Sequence, residues 1–283
     1  MPFASYQIRG MSRSHLSTAI RWAAREGWNP GLYDLDPLYG IDPEGFFMGW
    51  LDEGPVASIA CVRHGPDHGF MGLYIVEPAL RRHGLGLALW NAALEHVKGR
   101  VLGLDGVVAQ QDNYRRGGFE QAWYNVRYKG RGRETVVQDR RVVSLSSLPF
   151  DRLTAYDAAF HPVPRPAFLR AWSQMPQSHS LGWWEGGELR GYGVVRACRE
   201  GYKLAPLCAD TPAIAEALFE ALCARVPLVE PVFMDVPECN LQATRLALTQ
   251  GMEATFPTAR MYRGPAPQLA LSRLYGLTTL EVG

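Results

Sequence analysis

The sequence predicts an α/β chain in which one strand-and-helix fold is used twice. Three observations carry that reading. A hairpin signal of strand, glycine turn and strand occurs as Phe46–Leu51, Asp52-Glu53-Gly54 and Val56–Val62. It returns 133 residues later as Leu181–Trp184, Glu185-Gly186-Gly187 and Leu189–Cys198. At the same displacement Gly118-Phe119-Glu120 falls on Gly251-Met252-Glu253, and close behind, one residue out of step, Arg127-Tyr128-Lys129-Gly130 is echoed by Met261-Tyr262-Arg263-Gly264.

In chain order, the first hairpin is followed by a strand over Gly69 to Val76, a turn at Pro78 and a helix over Leu85 to Val97. The short apolar strand Val101 to Ala109 leads into Asn113-Tyr114-Arg115-Arg116-Gly117-Gly118-Phe119. In the second copy Leu204–Leu207, Pro212 and Ala213–Arg225 repeat strand, turn and helix, and Tyr275 to Glu281 has the mixed apolar look of a final edge strand. The polar stretch Lys129 to Arg141 joins the copies. The expected boundaries are therefore a first domain over 1–130, a linker over 131–141 and a second domain over 142–283.

The run Arg81-Arg82-His83-Gly84-Leu85-Gly86 sits where the first long helix begins. The opening amides of a helix lack intrahelical partners and carry the positive end of its dipole, which suits an anion. Glycines at 84 and 86 would let a pyrophosphate approach that backbone, with Arg81 adding a cation. A dinucleotide fingerprint needs G-x-G-x-x-G and a P-loop needs G-x-x-x-x-G-K-[ST]. The chain has neither: Leu87-Ala88-Leu89 follow Gly86.

The spacing R-x-x-G-x-G resembles the acyl-CoA pyrophosphate loop, Q/R-x-x-G-x-G/A, of the GNAT superfamily of N-acetyltransferases. Tyr114 to Phe119 resembles that family's later Y-x-x-x-G-F element. The order and separation of the two motifs also match. The resemblance, to a two-domain bacterial subgroup with a degenerate C-terminal acetyltransferase-like domain, covers nearly the whole chain. It implies two tandem domains, each a mixed, mostly antiparallel twisted sheet flanked by helices. It also implies acetyl-CoA as co-substrate, with Arg81, Arg82, His83, Gly84, Leu85, Gly86 and Leu87 at the pyrophosphate. The pantetheine arm would then pair with strand backbone at Leu73, Ile75 and Val76, and Asn113 and Tyr114 would lie near the thioester. A positioned tyrosine can protonate the departing thiolate, so Tyr114 is the expected general acid.

At the shared displacement Arg81 becomes Ile214, Gly84 becomes Ala217, Gly86 becomes Phe219 and Tyr114 becomes Ala247. The second half thus reads as a fold without the cofactor site, acting as a wall, a lid or an assembly surface.

The acceptor side offers Glu26, Trp28 and Asn29, in what the family makes the first-helix loop, together with Asp105 at a strand mouth. Glu26 suits an ammonium and is the candidate base, Trp28 suits packing on a cation, and Asn29 can offer an amide. The same residues read equally as a helix end, a Gly27 cap and a core plug, and Asp105 as a turn residue held by Gly106. His64 and His68 flank Gly65-Pro66-Asp67 and look like exposed turn residues, with no third ligand for a metal.

Composition removes several classes of function. Net charge is +1, which gives no footprint for nucleic acid. No apolar run approaches the ~18 residues of a membrane helix. The stretch Met1 to Ile20 lacks the apolar core of a signal peptide. The five cysteines have no C-x-x-C spacing, and Cys61, Cys198 and Cys223 read as buried reduced thiols. The expectation is a cytoplasmic N-acetyltransferase that uses acetyl-CoA, a small primary amine and no metal. A transferase of longer acyl-CoA and a non-catalytic acyl-CoA sensor are the alternatives, and the oligomeric state stays open.

Overall fold

The computed structural model describes residues 5–52, 54–134 and 139–283. Residues 1–4 of the polar N-terminal stretch, Glu53 of the first hairpin turn and residues 135–138 of the expected linker lie outside the described residues.

The first half runs β1 (Tyr6–Gly10), α1 (Arg13–Arg25), α2 (Leu35–Tyr39), β2 (Phe46–Leu51), β3 (Gly54–His64), β4 (His68–Val76), α3 (Leu85–His96), β5 (Val101–Val107), α4 (Gln111–Arg116) and β6 (Glu120–Arg131). The second half continues with β7 (Val142–Ser144), α5 (Phe150–Asp157), α6 (Pro166–Ser173), β8 (Ser178–Glu185), β9 (Glu188–Ala197) and β10 (Tyr202–Ala209). It closes with α7 (Pro212–Cys223), β11 (Pro231–Pro237), α8 (Leu241–Thr249), β12 (Glu253–Arg263) and β13 (Leu274–Gly276).

Local sequence explains the main boundaries. Ser12 caps α1 by accepting from the His15 N–H, and the His15 ring accepts from the Ser12 N–H in return. Leu16, Ala19, Ile20 and Ala23 repeat at helical spacing and bury one stripe of α1 on the sheet. Gly27, at φ +80°, ends that helix, and the Trp28 N–H returns to the Ala23 carbonyl at 3.0 Å.

The sheet is continuous through both halves, in the order β1-β2-β3-β4-β5-β12-β6-β11-β10-β9-β8-β7. The two halves exchange strands at its centre. β12 of the second half lies between β5 and β6 of the first, and β6 lies between β12 and β11. Helices α1 and α2, joined by α6 through Phe168 and Trp172, cover one face of β2–β4. Helix α3 covers the other face through Leu89, Trp90 and Ala93.

Two buried ion pairs cross the exchange. Asp105 on β5 faces Arg260 on β12, with both carboxylate oxygens engaged at 2.7 and 2.6 Å. Asp235 on β11 faces Arg127 on β6 at 2.7 and 2.9 Å. Burial alone would raise the Asp235 carboxyl, but Arg127 and Lys203 together hold it below its ordinary value.

The parallel pairs open early. β4 and β5 stay hydrogen-bonded only from His68↔Val101 to Met71↔Leu104, and β10 and β11 only at Tyr202↔Val232 and Lys203↔Phe233. The second gap is closed by β13, which pairs with β10, and by the Leu277 N–H, which reaches the Asp235 carbonyl at 2.8 Å. The stretch expected as an edge strand over Tyr275 to Glu281 is therefore a three-residue interior strand followed by irregular backbone. His64 also departs from expectation. It is buried, its Nε2 lies 2.7 Å from the Val282 carbonyl, and burial pushes its pKa down to about 4.

Removing one partner of a buried pair leaves the other charge uncompensated, at a cost of about 3–5 kcal/mol. Asp235→Ala is therefore expected to lower unfolding stability by that amount in urea titration. Removing the exposed pair Lys98–Glu95 should cost less than about 1 kcal/mol. Equal small effects at both positions would show that the exchange does not depend on its ion pairs.

Candidate active site

The site starts from a defect in β4. Ser58 pairs with Ile75 while Ala60 pairs with Gly72, so β4 carries one residue more than β3 over this span. Leu73 absorbs it with φ +48°, rare for a branched side chain, and the buried Ser58 hydroxyl pins it by donating to the Leu73 carbonyl at 2.8 Å. Beyond Met71, the edge of β4 that faces β5 has no strand partner. The backbone of Leu73, Ile75 and Val76 borders that open gap.

Residues 77–84 lead from β4 to α3. Arg81 donates through Nε to the Val76 carbonyl at 2.9 Å, which fixes the loop to the strand end. Arg82 has φ +67° and Gly84 φ +82°, and nothing lies within 4 Å of a Cβ built on Gly84. Residues 81–84 are exposed, and α3 begins without any side-chain cap. The amides of Leu85, Gly86 and Leu87 thus form an uncapped helix start beside an arginine, and an acyl-CoA pyrophosphate fits that chemistry. Gly86 also has a packing reason. A Cβ there would meet the Tyr74 hydroxyl at 2.5 Å and Val76 at 3.0 Å, so this glycine lets α3 close on β4. Tyr6 helps fix the same turn by donating to the Leu85 carbonyl at 3.1 Å.

Tyr114 stands at the far side of the gap. Its ring stacks on Trp90 of α3 with centroids 5.9 Å apart, and it lies over Gly106 of β5, where a Cβ would sit 2.3 Å from the ring. Burial, with a smaller contribution from Tyr74, raises its phenol to about 12. Asn113 is exposed and bonds to Gln110 and Arg116.

The expected acceptor residues are not gathered into one contact set. Glu26 is the C-cap of α1 and pairs with Arg81 at 2.5 Å. Trp28 is half-buried, and its carbonyl accepts from Arg127 at 2.8 Å. The Asn29 amide bridges the Glu200 backbone, with both bonds at 2.9 Å, and so ties the first half to the second. The Asp105 carboxylate is taken up by Arg260 and Asn125. Tyr6, which fixes the loop, and Ser58, which pins the bulge, are not among the residues expected from the sequence.

The second half closes the equivalent helix start. Only Asp210 and Thr211 join β10 to α7, so the glycine-loop segment is missing there altogether. This corrects the matching of Gly84 with Ala217 and Gly86 with Phe219. Both partners lie inside α7, and Phe219 is ordinary core. The Thr211 hydroxyl accepts from the Ile214 N–H at 3.3 Å and Pro212 removes a further donor. At Tyr114 and Ala247 the register does hold: Phe119 N returns to Tyr114 O at 3.1 Å and Met252 N to Ala247 O at 3.0 Å.

A sheet with an open parallel gap, a bulge at its edge and an uncapped helix start beside it defines an acyl-CoA-dependent transferase fold. A profile described as "Acetyltransferase (GNAT) family" matches residues 12–119, and one described as "Acetyltransferase (GNAT) domain" matches residues 153–276. The chain is 32% identical over 262 residues to the holothin acyltransferase of Pseudoalteromonas sp. (strain SANK 73390), spanning 93% of this chain and 89% of that protein. The protein belongs to the GNAT acetyltransferase family and is a two-domain acyltransferase.

In fold it is similar to a putative acetyltransferase from Pyrococcus horikoshii, with a TM-score of 0.84 at 21% identity over 99% of this chain and 97% of that one. A tandem GNAT protein from the clavulanic acid biosynthesis pathway aligns with a TM-score of 0.64 at 14% identity over 92% and 99%. Among the described residues no group of three or more His, Cys, Asp or Glu is placed to hold a metal, and no helix is long and apolar enough to cross a membrane.

Glu26→Gln should break the contact with Arg81 while leaving the bond from Arg81 to Val76. Because this pair is part-exposed, unfolding stability should change by less than about 1 kcal/mol in urea titration. A loss of several kcal/mol would mean that the pair is a structural anchor of the loop.

Proposed function

We propose that the first half transfers an acetyl group from acetyl-CoA to the primary amine of a small molecule by direct attack. The observation that carries this is the placement of Tyr114 across the open β4–β5 gap from the uncapped start of α3. In this reading residues 81–87 hold the pyrophosphate and the open edge at Leu73, Ile75 and Val76 binds the pantetheine arm. Holding amine and thioester in one geometry supplies much of the rate. Unpaired N–H groups at the bulge would stabilise the oxyanion, and the Tyr114 phenol would protonate the departing thiolate. Asn113 and Trp28 then act at the rims of the site, while Asp105, closed by Arg260 and Asn125, supports β5 from within. The second half serves as a wall. The five free cysteines suit a reducing, cytoplasmic setting, with no membrane or nucleic acid as partner.

A longer acyl donor is the second reading. It is favoured by the relative at 32% identity, which is named an acyltransferase without restriction to acetyl.

Thiol release from acetyl-CoA, measured against alkylamines, polyamines, amino acids, amino sugars, holothin and a lysine peptide, tests the reading. Turnover with a small amine supports it, and silence across the panel with tight acetyl-CoA binding would favour the longer donor. Tyr114→Phe should lower kcat by about 10²–10⁴ while leaving acetyl-CoA affinity nearly unchanged. A phenol raised to about 12 stays protonated throughout the neutral and mildly alkaline range, so Tyr114 should contribute no loss of rate between pH 7 and roughly pH 10. A loss of rate in that window that Tyr114→Phe abolishes would contradict its role as the acid.

A further inference from the structure

The segment 277–283 leaves β13 and crosses onto the face of the first half that carries α1, opposite α3. The Thr278 hydroxyl accepts from Arg165 at 2.9 Å, and Val282 is fully buried in the cluster formed by α1, β2, β3 and β4. Between these two anchors the Glu281 carbonyl packs directly on Gly72, the residue before the bulge. A Cβ on Gly72 would lie 2.0 Å from that oxygen. Glycine at 72 is therefore what lets the segment touch β4 beside Leu73.

Glu281 is 5% exposed. Every other buried acid among the described residues faces an arginine: Asp34 with Arg196, Asp42 with Arg63, Asp105 with Arg260, Asp157 with Arg165 and Asp235 with Arg127. Glu281 has no ion pair. Its two hydrogen bonds, from the Thr279 hydroxyl and from the Leu280 N–H at 3.1 Å, both go to Oε2. A buried carboxylate with no direct ion pair and both printed hydrogen bonds on one oxygen keeps its other oxygen available to an arriving ammonium. The Glu281 charge acts on Asp105, Arg127, Arg196 and Lys203, which locates it at the seam between the halves. Three of those neighbours are already closed into ion pairs, and Lys203 lies 3.9 Å from Asp235.

We propose that Glu281 receives the ammonium of the acceptor and takes its proton. This rests on the reading of acyl transfer to a primary amine, and it assigns the base to the segment after β13. The acceptor enters as R–NH₃⁺, and the Glu281 carboxylate takes one proton to leave a neutral amine. The nitrogen lone pair forms the C–N bond to the thioester carbonyl carbon. The C–S bond then breaks as the oxyanion collapses, and sulfur takes the Tyr114 proton. The nitrogen loses its second proton, which returns through water to Tyr114, while the proton on Glu281 leaves to solvent. Glu26, the acid expected from the sequence, is held by Arg81 on the cofactor loop and has no part in this step.

The test compares the full wild-type chain with Glu281→Gln and Glu26→Gln, using acetyl-CoA, an accepted alkylamine and its fluorinated, weakly basic counterpart. For the alkylamine, Glu281→Gln is expected to lower kcat by about 10²–10⁴ with acetyl-CoA affinity retained, whereas any loss in Glu26→Gln, which releases Arg81 of the cofactor loop, should be the same for both amines. For the weakly basic amine, already neutral at pH 7, the loss should shrink to about tenfold or less. A merely structural role would depress both amines equally, and that result would overturn the proposal. So would an unimpaired Glu281→Gln beside an active wild type, which leaves the transferase reading intact. A wild type silent toward every amine would remove that reading and this one together. If Glu281→Gln fails to fold, Glu281→Asp, which keeps the charge but withdraws it by one methylene, should show the same dependence on amine basicity at smaller amplitude. Equal loss for both amines in that variant would again overturn it.

Discussion

Two buried ion pairs at the centre of the sheet hold the molecule together. Asp105–Arg260 and Asp235–Arg127 are counterparts under the internal repeat. Each aspartate lies on the inner strand of its own half, and each arginine lies on the strand lent by the other half. A desolvated charge of this kind is tolerated only when its partner is in place, so each pair penalises a sheet from which β6 or β12 is withdrawn. The exchange reaches the chemistry directly. β12 pairs along β5 from Leu102 to Val107, which steadies the strand that presents Gly106 to the ring of Tyr114. The sheet of the first half is thus incomplete without β12.

The same architecture opens one parallel gap and closes the other. In the second half β13 fills the space between β10 and β11, and α7 begins at a threonine cap and a proline. In the first half the gap stays open beyond Met71, and the helix start beside it carries no cap. The difference comes from a shortened connection and an inserted strand rather than from single substitutions. The chain that leaves β13 then continues to Gly72, so the segment that shuts one gap also packs on β4 of the other half.

Much of this was legible in the sequence. The glycine loop, the Tyr114 to Phe119 element and the repeated hairpin report local geometry: positive φ, an uncapped helix, a tight turn. Such constraints act over a few residues and leave a direct mark on residue type. The strand exchange left no comparable mark, because Asp105 and Arg260 are far apart in the chain and meet only through sheet order. Sequence neighbourhood marks Glu26 as an acid near the acceptor side but does not show its partner Arg81, which reaches it because the loop folds back on α1. The repeat misled in one place. A fixed displacement cannot follow a deletion, and the short β10–α7 turn puts the two helix starts out of register.

Calorimetric titration of the whole chain with acetyl-CoA, read together with hydrogen exchange, tests most directly the claim that one half works and the other supports it. One molecule bound per chain, with slowed exchange at residues 84–88 and none at residues 211–216, is the result this account predicts. Two molecules per chain, or protection at the start of α7, would contradict it.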